Sequence, residues 1–520
     1  APGGRPYDTT YAAPIIVNVN GTRLLIQGSS DGFVHAIKPQ TGEPVWKYEI
    51  SKRGINTGVV VHGTTAILTH SEENLNSSEM GMMAAVDATA KGTITKDQVK
   101  WVTYGWQGGF SSPVLDGDRL YQIDNSANIA AFDVNTGKQL WLKNLGTIQK
   151  ASPVLADGKL YVGTENGKFF ILKPSATGCE ILDEEQLGTE AQPESIIGSA
   201  AVANGRIYFA SDSNLYCIGK KANHTTSSDR SSLVAVGNHV SSAPVTHVQV
   251  VPTELILKAG DKVSFRARLF DEQGNFVREE PAATWSLDHL KGTIANGQFT
   301  AGSDPAAQAG WVEATVDGIK GTANVRVFPP LPWSETFDSY AVNSLPTGWT
   351  NTTLKFAVQE LNGNKVLAKL TTGSSLLSRA RAYMGPSDWS NYTVESDVLA
   401  TQKRRQQGDA GVIAQRYVLT LYGNSQTLHI EPWQPEITRT KKVPFAWKPD
   451  TWYRLKLQVD NLPDGTTRAR GKAWAVGEPE PDAWMIERID PIPNRQGAPG
   501  IFGNGLAELY FDNIKVYANK

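Results

Sequence analysis

Hydrophobic and polar residues alternate with a period of two through most of the chain, in short runs broken by Gly, Asn, Asp and Pro. Val263-Ser-Phe-Arg-Ala-Arg-Leu269 and Tyr392-Thr-Val-Glu-Ser-Asp-Val398 are examples. Such alternation gives each strand one apolar face, and turn residues at this density predict many short strands in place of long helices. The expected fold class is all-β. A stricter regularity occupies the front of the chain. Asp118-Arg-Leu-Tyr121 leads through Ile129-Ala-Ala-Phe-Asp133 to Thr136-Gly-Lys138 and Trp141. The same order recurs as Gly158-Lys-Leu-Tyr161, Phe169–Lys173 and Thr177-Gly178, and again as Gly205-Arg-Ile-Tyr208 and Asn214-Leu-Tyr-Cys217. Earlier copies run from Thr22 to Trp46 and, more loosely, from Val61 to Trp101. Leu160 follows Leu120, and Trp141 follows Trp101, by 40 residues, the length of one four-stranded propeller blade. Five blades are counted.

The apolar strand, the Thr-Gly turn and the Trp that follows resemble the repeat named after pyrroloquinoline quinone (PQQ) enzymes, over about residues 10–220. The resemblance implies a β-propeller. Rings of this class generally close with more than five blades, so the ring is expected to be incomplete in this chain. The dehydrogenases of the superfamily carry a vicinal cysteine pair against the quinone and acidic and amide ligands to calcium. Here the only cysteines, Cys179 and Cys217, stand 38 residues apart, so PQQ is not expected as a cofactor. Two readings remain for them, buried small apolar residues or a blade-to-blade disulfide. Without the catalytic set, the resemblance points to non-enzymatic propellers such as the lipoprotein of the outer-membrane barrel assembly machine.

After the propeller blades (residues 1–222) the chain turns polar and repeat-free, and residues 223–245 read as a linker. Residues 246–330 hold about seven alternating strands around Trp285, resembling a bacterial Ig-like β-sandwich. Residues 331–520 run from Glu335-Thr-Phe-Asp338 to a final strand around Tyr510-Phe511 and Ile514-Lys-Val516. They resemble a concanavalin A-like jelly roll of the laminin-G and family 16 glycosidase type. The apolar register slips across Asp512-Asn513, as a bulge there would require. Gly411-Val-Ile-Ala-Gln-Arg-Tyr417 reads as one continuous strand.

Family 16 glycosidases place Glu-x-Asp-x-x-Glu on one strand, so that two carboxylates share a face. The nearest string here, Glu395-Ser-Asp-Val-Leu-Ala400, ends in alanine and lacks the second carboxylate. No catalytic residue is assigned. Eight of the 14 tryptophans lie beyond residue 330, and aromatic faces suit sugar stacking. Trp389 and Trp433, in loop-like surroundings, are the candidate carbohydrate-binding residues. Lys403-Arg404-Arg405 could meet an acidic glycan or phosphate, although an isolated basic triplet is normally a solvated loop. Asp338 and Asp512, in the first and last strands of the jelly roll, are the candidate ligands for a structural calcium.

Charge narrows the partners. With 50 basic and 52 acidic residues the net charge is −2, which offers no field for nucleic acid. No window approaches 18 apolar residues, so no transmembrane segment is expected in this chain, and Ala1-Pro-Gly-Gly4 carries neither the charged nor the apolar region of a signal peptide, so any that existed is expected to have been removed. The function expected is that of a non-catalytic scaffold, periplasmic, cell-surface or secreted. Its propeller would contact envelope proteins and its jelly roll polysaccharide. Two alternatives stand beside it: a PQQ-dependent or glycoside-active enzyme with an unfamiliar site, and a purely structural subunit of an extracytoplasmic assembly.

Overall fold

The computed structural model describes residues 9–219, 240–370, 379–432 and 437–520. The chain is all-β, with single 3-10 turns at Lys96–Gln98 and Ile437–Arg439 among the described residues. Contacts divide it into a first unit, Ala1–His247 with Phe270–Arg278, and a second, Val248–Leu269 with Glu279–Lys520.

The first unit is built from five antiparallel sheets in chain order. The third blade is typical: Val114–Asp116, Arg119–Ile123, Asn128–Asp133 and Gln139–Asn144 pair as a meander. The first blade carries an additional parallel strand, Gly92–Thr93, on its outer edge. The fifth has three strands among the described residues, Ala201–Ala203, Arg206–Ala210 and Leu215–Gly219. Alternation divides each strand between two interfaces. Leu120 packs towards the second blade with Ile67 and Phe132, whereas its neighbour Tyr121 packs towards the fourth with Leu160 and Phe170. Each fully buried side chain of this size contributes about 1.5–3 kcal/mol, so these layers hold successive blades together. A register slip recurs between the third and fourth strands of four blades, at Ala36/Ile37, Ala85/Val86, Ala131/Phe132 and Ile171/Leu172. The slip adds twist to the outer strand.

In the second unit, Glu254–Lys258, Ile319–Phe328, Gln308–Val316 and Thr284–Asp288 form one sheet, its first pair parallel. A smaller sheet joins Lys262–Ser264, Gln298–Ala301 and Gly292–Ala295. Beyond Phe328 lie an eight-stranded and a six-stranded sheet, between which Val394, Leu419, Leu455, Phe511 and their neighbours form one continuous core. The bulge read from the sequence is present: Glu395 pairs with Lys515 and Asp397 with Asp512, and Asn513 takes the left-handed conformation. One sequence expectation fails. Gly411–Tyr417 is not one strand but a hairpin, Asp409–Ala414 and Tyr417–Tyr422, turning at Gln415 and Arg416. Neither residue is a turn former of the Asn-Gly kind; they adopt φ of 46° and 66°.

Candidate functional site

The propeller blades are latched by tryptophan. Trp46, Trp101 and Trp141 each sit opposite the recurring bulge, paired with Ala36, Ala85 and Ala131. Each donates its indole N–H to the turn following the third strand of the next blade: to Ala88 O at 3.0 Å, Val134 O at 2.9 Å and Ser175 O at 3.0 Å. The Thr-Gly turn completes the socket. A Cβ on Gly137, whose φ is +70°, would lie 2.4 Å from the Trp101 ring, so glycine is required there by both conformation and space. The fourth blade breaks the pattern, since the residue opposite its bulge is Asp183. Its last strand is exposed along most of its length, including Ile181 and Leu182. The fifth blade buries Phe209 against the fourth, stacking it on Phe169 at 3.9 Å. Its opposite face carries Tyr208 and Leu215, at the positions where the fourth blade uses Tyr161 and Phe169 to meet its neighbour. Leu215 is 77 % exposed. At the first blade a cavity of about 1230 Å³ is lined by Leu25, Gln27, His35, Ile37 and the Thr41 turn, with Asp271–Gln273 of the same unit. His35 is paired with Asp31 there, at 3.0 Å.

The second unit presents a different surface. Strand registers place the outward side chains of the six-stranded sheet in rows. Arg381, Phe502, Gly411, Thr420 and His429 form one row, and Tyr383, Gly500, Ile413, Val418 and Glu431 the next. Glycine in the middle of each row leaves a trough. Tyr422 donates to Glu431, with both carboxylate oxygens at 3.0 Å, and its ring lies 4.2 Å from that of His429. Burial raises the Tyr422 pKa, and the Glu431 charge adds to it. Asp409 accepts from Gly423 N–H and Asn504 Nδ2. Burial raises its pKa, and those bonds oppose the rise. Arg381 lies over the Phe502 ring, 5.3 Å from the centroid. The Thr420 hydroxyl, fully buried beneath this face, has no partner among the described residues. A groove of about 460 Å³ opens along the first of these strands, lined by Arg381, Tyr383, Ile413, Arg416, Val418 and Gly497 among others.

Residues 12–242 match the family model described as outer membrane protein assembly factor BamB. Over these residues the blades are similar to that family's PQQ-type repeat. BamB of Salmonella typhimurium is 27% identical over 154 residues, which cover 27% of this chain and 35% of that protein. BamB of Escherichia coli is 25% identical over the same length. The chain thus spans about a third of the length of the curated relatives it matches. Among solved structures, BamB from Moraxella catarrhalis aligns over 95% of this chain and 96% of its own, at 14% identity and a TM-score of 0.29. The WD40 propeller domain of Doa1 aligns over 38% of this chain and 61% of its own, at 16% identity and a TM-score of 0.29.

Trp389 is 8 % exposed and packs edge-on to Tyr392 at 6.3 Å. Its loop is folded inward, so its ring face is not offered to a sugar. Trp433 lies outside the described residues, as does most of the linker expected at 223–245. Cys179 and Cys217 are unbonded. Cys179 opens the outermost strand of its blade, whereas Cys217 lies in the third strand of the next. Burial pushes the Cys179 thiol up to about 11. Glu395 and Asp397 are both committed to partners within the sheet. Glu395 accepts from Tyr517 and faces Lys456, while Asp397 holds Arg454 at 2.6 and 2.8 Å. Arg404 and Arg405 form an exposed two-residue hairpin turn.

The calcium expectation fares poorly against its donor set. Asp512 accepts from Asn364 Nδ2 at 2.8 Å and from Asn513 N–H at 2.7 Å. Burial raises its pKa, and the charges of Asp397 and Asp338 add to the rise. The carbonyls of Asp338 and Tyr340, natural calcium donors, receive the Lys365 ammonium at 2.9 and 2.7 Å. A cation already stands there, so the residues do not fit calcium. Among the described residues no group of three or more His, Cys, Asp or Glu could hold a metal ion, and no helix is long and apolar enough to cross a membrane.

The sequence missed the residues of the groove, Arg381, Tyr383 and Arg416. The one usable signal was the absence of any Gly or Asn where Ala414 and Tyr417 must be joined.

Proposed function

We propose that the chain is a non-catalytic scaffold of the bacterial cell envelope. Its PQQ-type blades, within residues 1–222, contact envelope proteins. Beyond the linker at 223–245, an Ig-like spacer (246–330) leads to a concanavalin A-like domain (331–520) that binds carbohydrate. The observation that carries this reading is the fifth blade. Tyr208 and Leu215 occupy the positions that meet a neighbouring blade elsewhere in the array, and Leu215 is left in solvent. An exposed apolar face of this kind marks a protein-contact surface. The likeness to an outer membrane protein assembly factor supports an envelope location and a role in protein contacts. The test is a photoactivatable residue at position 215 of the full chain, irradiated in intact bacterial envelopes. Cross-links to an envelope protein, lost when Tyr208→Asp is combined with it, are expected. Cross-links to nothing but itself would overturn the protein-contact half. Retention of the full chain on at least one of a panel of immobilised polysaccharides is the matching test for carbohydrate, and retention on none would overturn that half.

A further inference from the structure

We infer that the groove beside Arg416 binds a uronic acid residue of an acidic glycan. This rests on the carbohydrate reading above and adds to it the charge of the sugar and the side chains that meet it. The groove, at about 460 Å³, falls within the range of small-molecule sites, roughly 300–1,000 Å³. Its floor is made by Ile413 and Val418 and its wall by the Tyr383 ring, a surface for the apolar face of a pyranose. Its charges have one sign: Arg381 and Arg416 line it, and no carboxylate does. Both guanidiniums act on the Tyr383 phenol, drawing back a pKa that burial raises. A carboxylate on the sugar matches the planar fork of a guanidinium and can be held by two parallel hydrogen bonds.

The backbone that presents Arg416 is the second, independent observation. A two-residue hairpin turn favours Asn-Gly because both positions need φ > 0. Here Gln415 and Arg416 occupy it, at 46° and 66°, each a conformation that costs a long side chain free energy. Gln415 fixes the turn from inside. It is fully buried, accepts from Asn391 N–H, and donates to Asn461 Oδ1 at 3.0 Å and Asn494 O at 3.2 Å. Gly497 lets the opposing chain close behind, since a Cβ there would stand 2.9 Å from Arg416 Cγ. Arg416 itself is exposed at the groove. A buried network thus holds a turn whose outward product is one arginine facing the groove.

The experiment is isothermal titration of the full chain with an oligogalacturonate and with its fully methyl-esterified, uncharged form, for the wild type, Arg416→Gly and Arg416→Lys. Glycine suits the φ at 416, so Arg416→Gly is expected to melt no lower than the wild type while binding the acid form at least tenfold more weakly. Lysine keeps the charge without the fork and should fall between. Binding that is lost together with the fold in Arg416→Gly would mean a structural role and overturn the inference. Equal affinity for acid and ester, or for wild type and Arg416→Gly, would overturn the uronate assignment while leaving the carbohydrate reading intact. Preference for a sulfated glycan over the uronate would replace the carboxylate by a sulfate and also overturn it. Failure to bind any glycan on the polysaccharide panel would overturn both.

Discussion

Replacing Trp141 measures what the inter-blade latch is worth. The side chain is buried, lies with its ring 5.8 Å from that of Tyr121, and donates to Ser175 O in the next blade at 3.0 Å. Removing a buried Trp down to Ala costs about 3–5 kcal/mol through lost transfer energy and the cavity left behind. The hydrogen bond accounts for a minor part. Ser175 is exposed, so water replaces the donor, and a Trp141→Phe change that keeps most of the apolar contact should cost only about 1 kcal/mol. For a cooperative unit of this size each kcal/mol moves the melting temperature by about 2–4 °C. Trp141→Ala is therefore expected to lower the first-unit transition by about 6–20 °C, and Trp141→Phe by about 2–4 °C. Trp311 of the second unit, 42 % exposed, is the control for a surface tryptophan, and its change to Ala should lower that unit's own transition by the equivalent of about 1 kcal/mol or less. Differential scanning calorimetry resolves these differences. If Trp141→Ala shifted the melt no more than Trp311→Ala, the latch would be ornamental, and the meaning attached to Asp183 at the corresponding place would fall with it.

Three further outcomes are expected. Burial holds the His70 imidazole neutral, lowering its pKa to about 4, where its Nδ1 accepts from Glu72 N–H. Because the unfolded chain binds the proton more readily, the contribution is complete above about pH 6.5 and declines as pH falls towards 4, by about 3 kcal/mol in all. Urea midpoints of wild type and His70→Gln should converge at acid pH, and parallel curves would refute this. Asp397→Ala, which strands Arg454 in a largely buried ion pair, should destabilise the second unit by about 3–5 kcal/mol, read by urea denaturation; a loss under 1 kcal/mol would show the pair to be dispensable. With Lys365 occupying the carbonyls near Asp338, EDTA or millimolar calcium should leave the melting profile unchanged, whereas a bound ion would make it depend on concentration.

What could be read in the sequence follows from how local each signal is. The blades were legible because strand alternation, the Thr-Gly turn and the following Trp recur at fixed spacing, and each copy corroborates the others. The bulge at Asp512-Asn513 was legible because a one-residue slip flips the apolar register, as the step from Phe511 to Ile514 shows. The groove was not. Arg381, Tyr383, Val418 and Arg416 come together through strand pairings between segments of the chain as far apart as residues 379–383 and 500–504, and no periodicity within any one segment announces them. Trp389 misled for a related reason. Its polar neighbours gave it a loop's composition, but a loop can fold inward: Gly385, left-handed at φ +113°, has its Cα side so close to the Trp389 ring that a Cβ would stand 2.9 Å away.

Two local rules are broken against their own neighbours, one in each unit. Three tryptophans latch three blades, and the fourth corresponding position is Asp183, on a strand that stays in solvent. Hairpin turns of two residues favour Gly and Asn, and the one beneath the groove uses Gln415 and Arg416 at positive φ, held by buried hydrogen bonds. Stability alone would favour tryptophan in the first case and glycine in the second, since each would agree with the surrounding fold. Departures of this kind concentrate at functional sites in proteins whose sequence is otherwise consistent with its structure. The two departures differ in what they imply. An aspartate in place of the latch removes one tie between the fourth and fifth blades and leaves the fourth blade's last strand in solvent, beside the blade whose far face carries Tyr208 and Leu215. An arginine in a strained turn places one charge at one point, which suits a small ligand with a single anionic group.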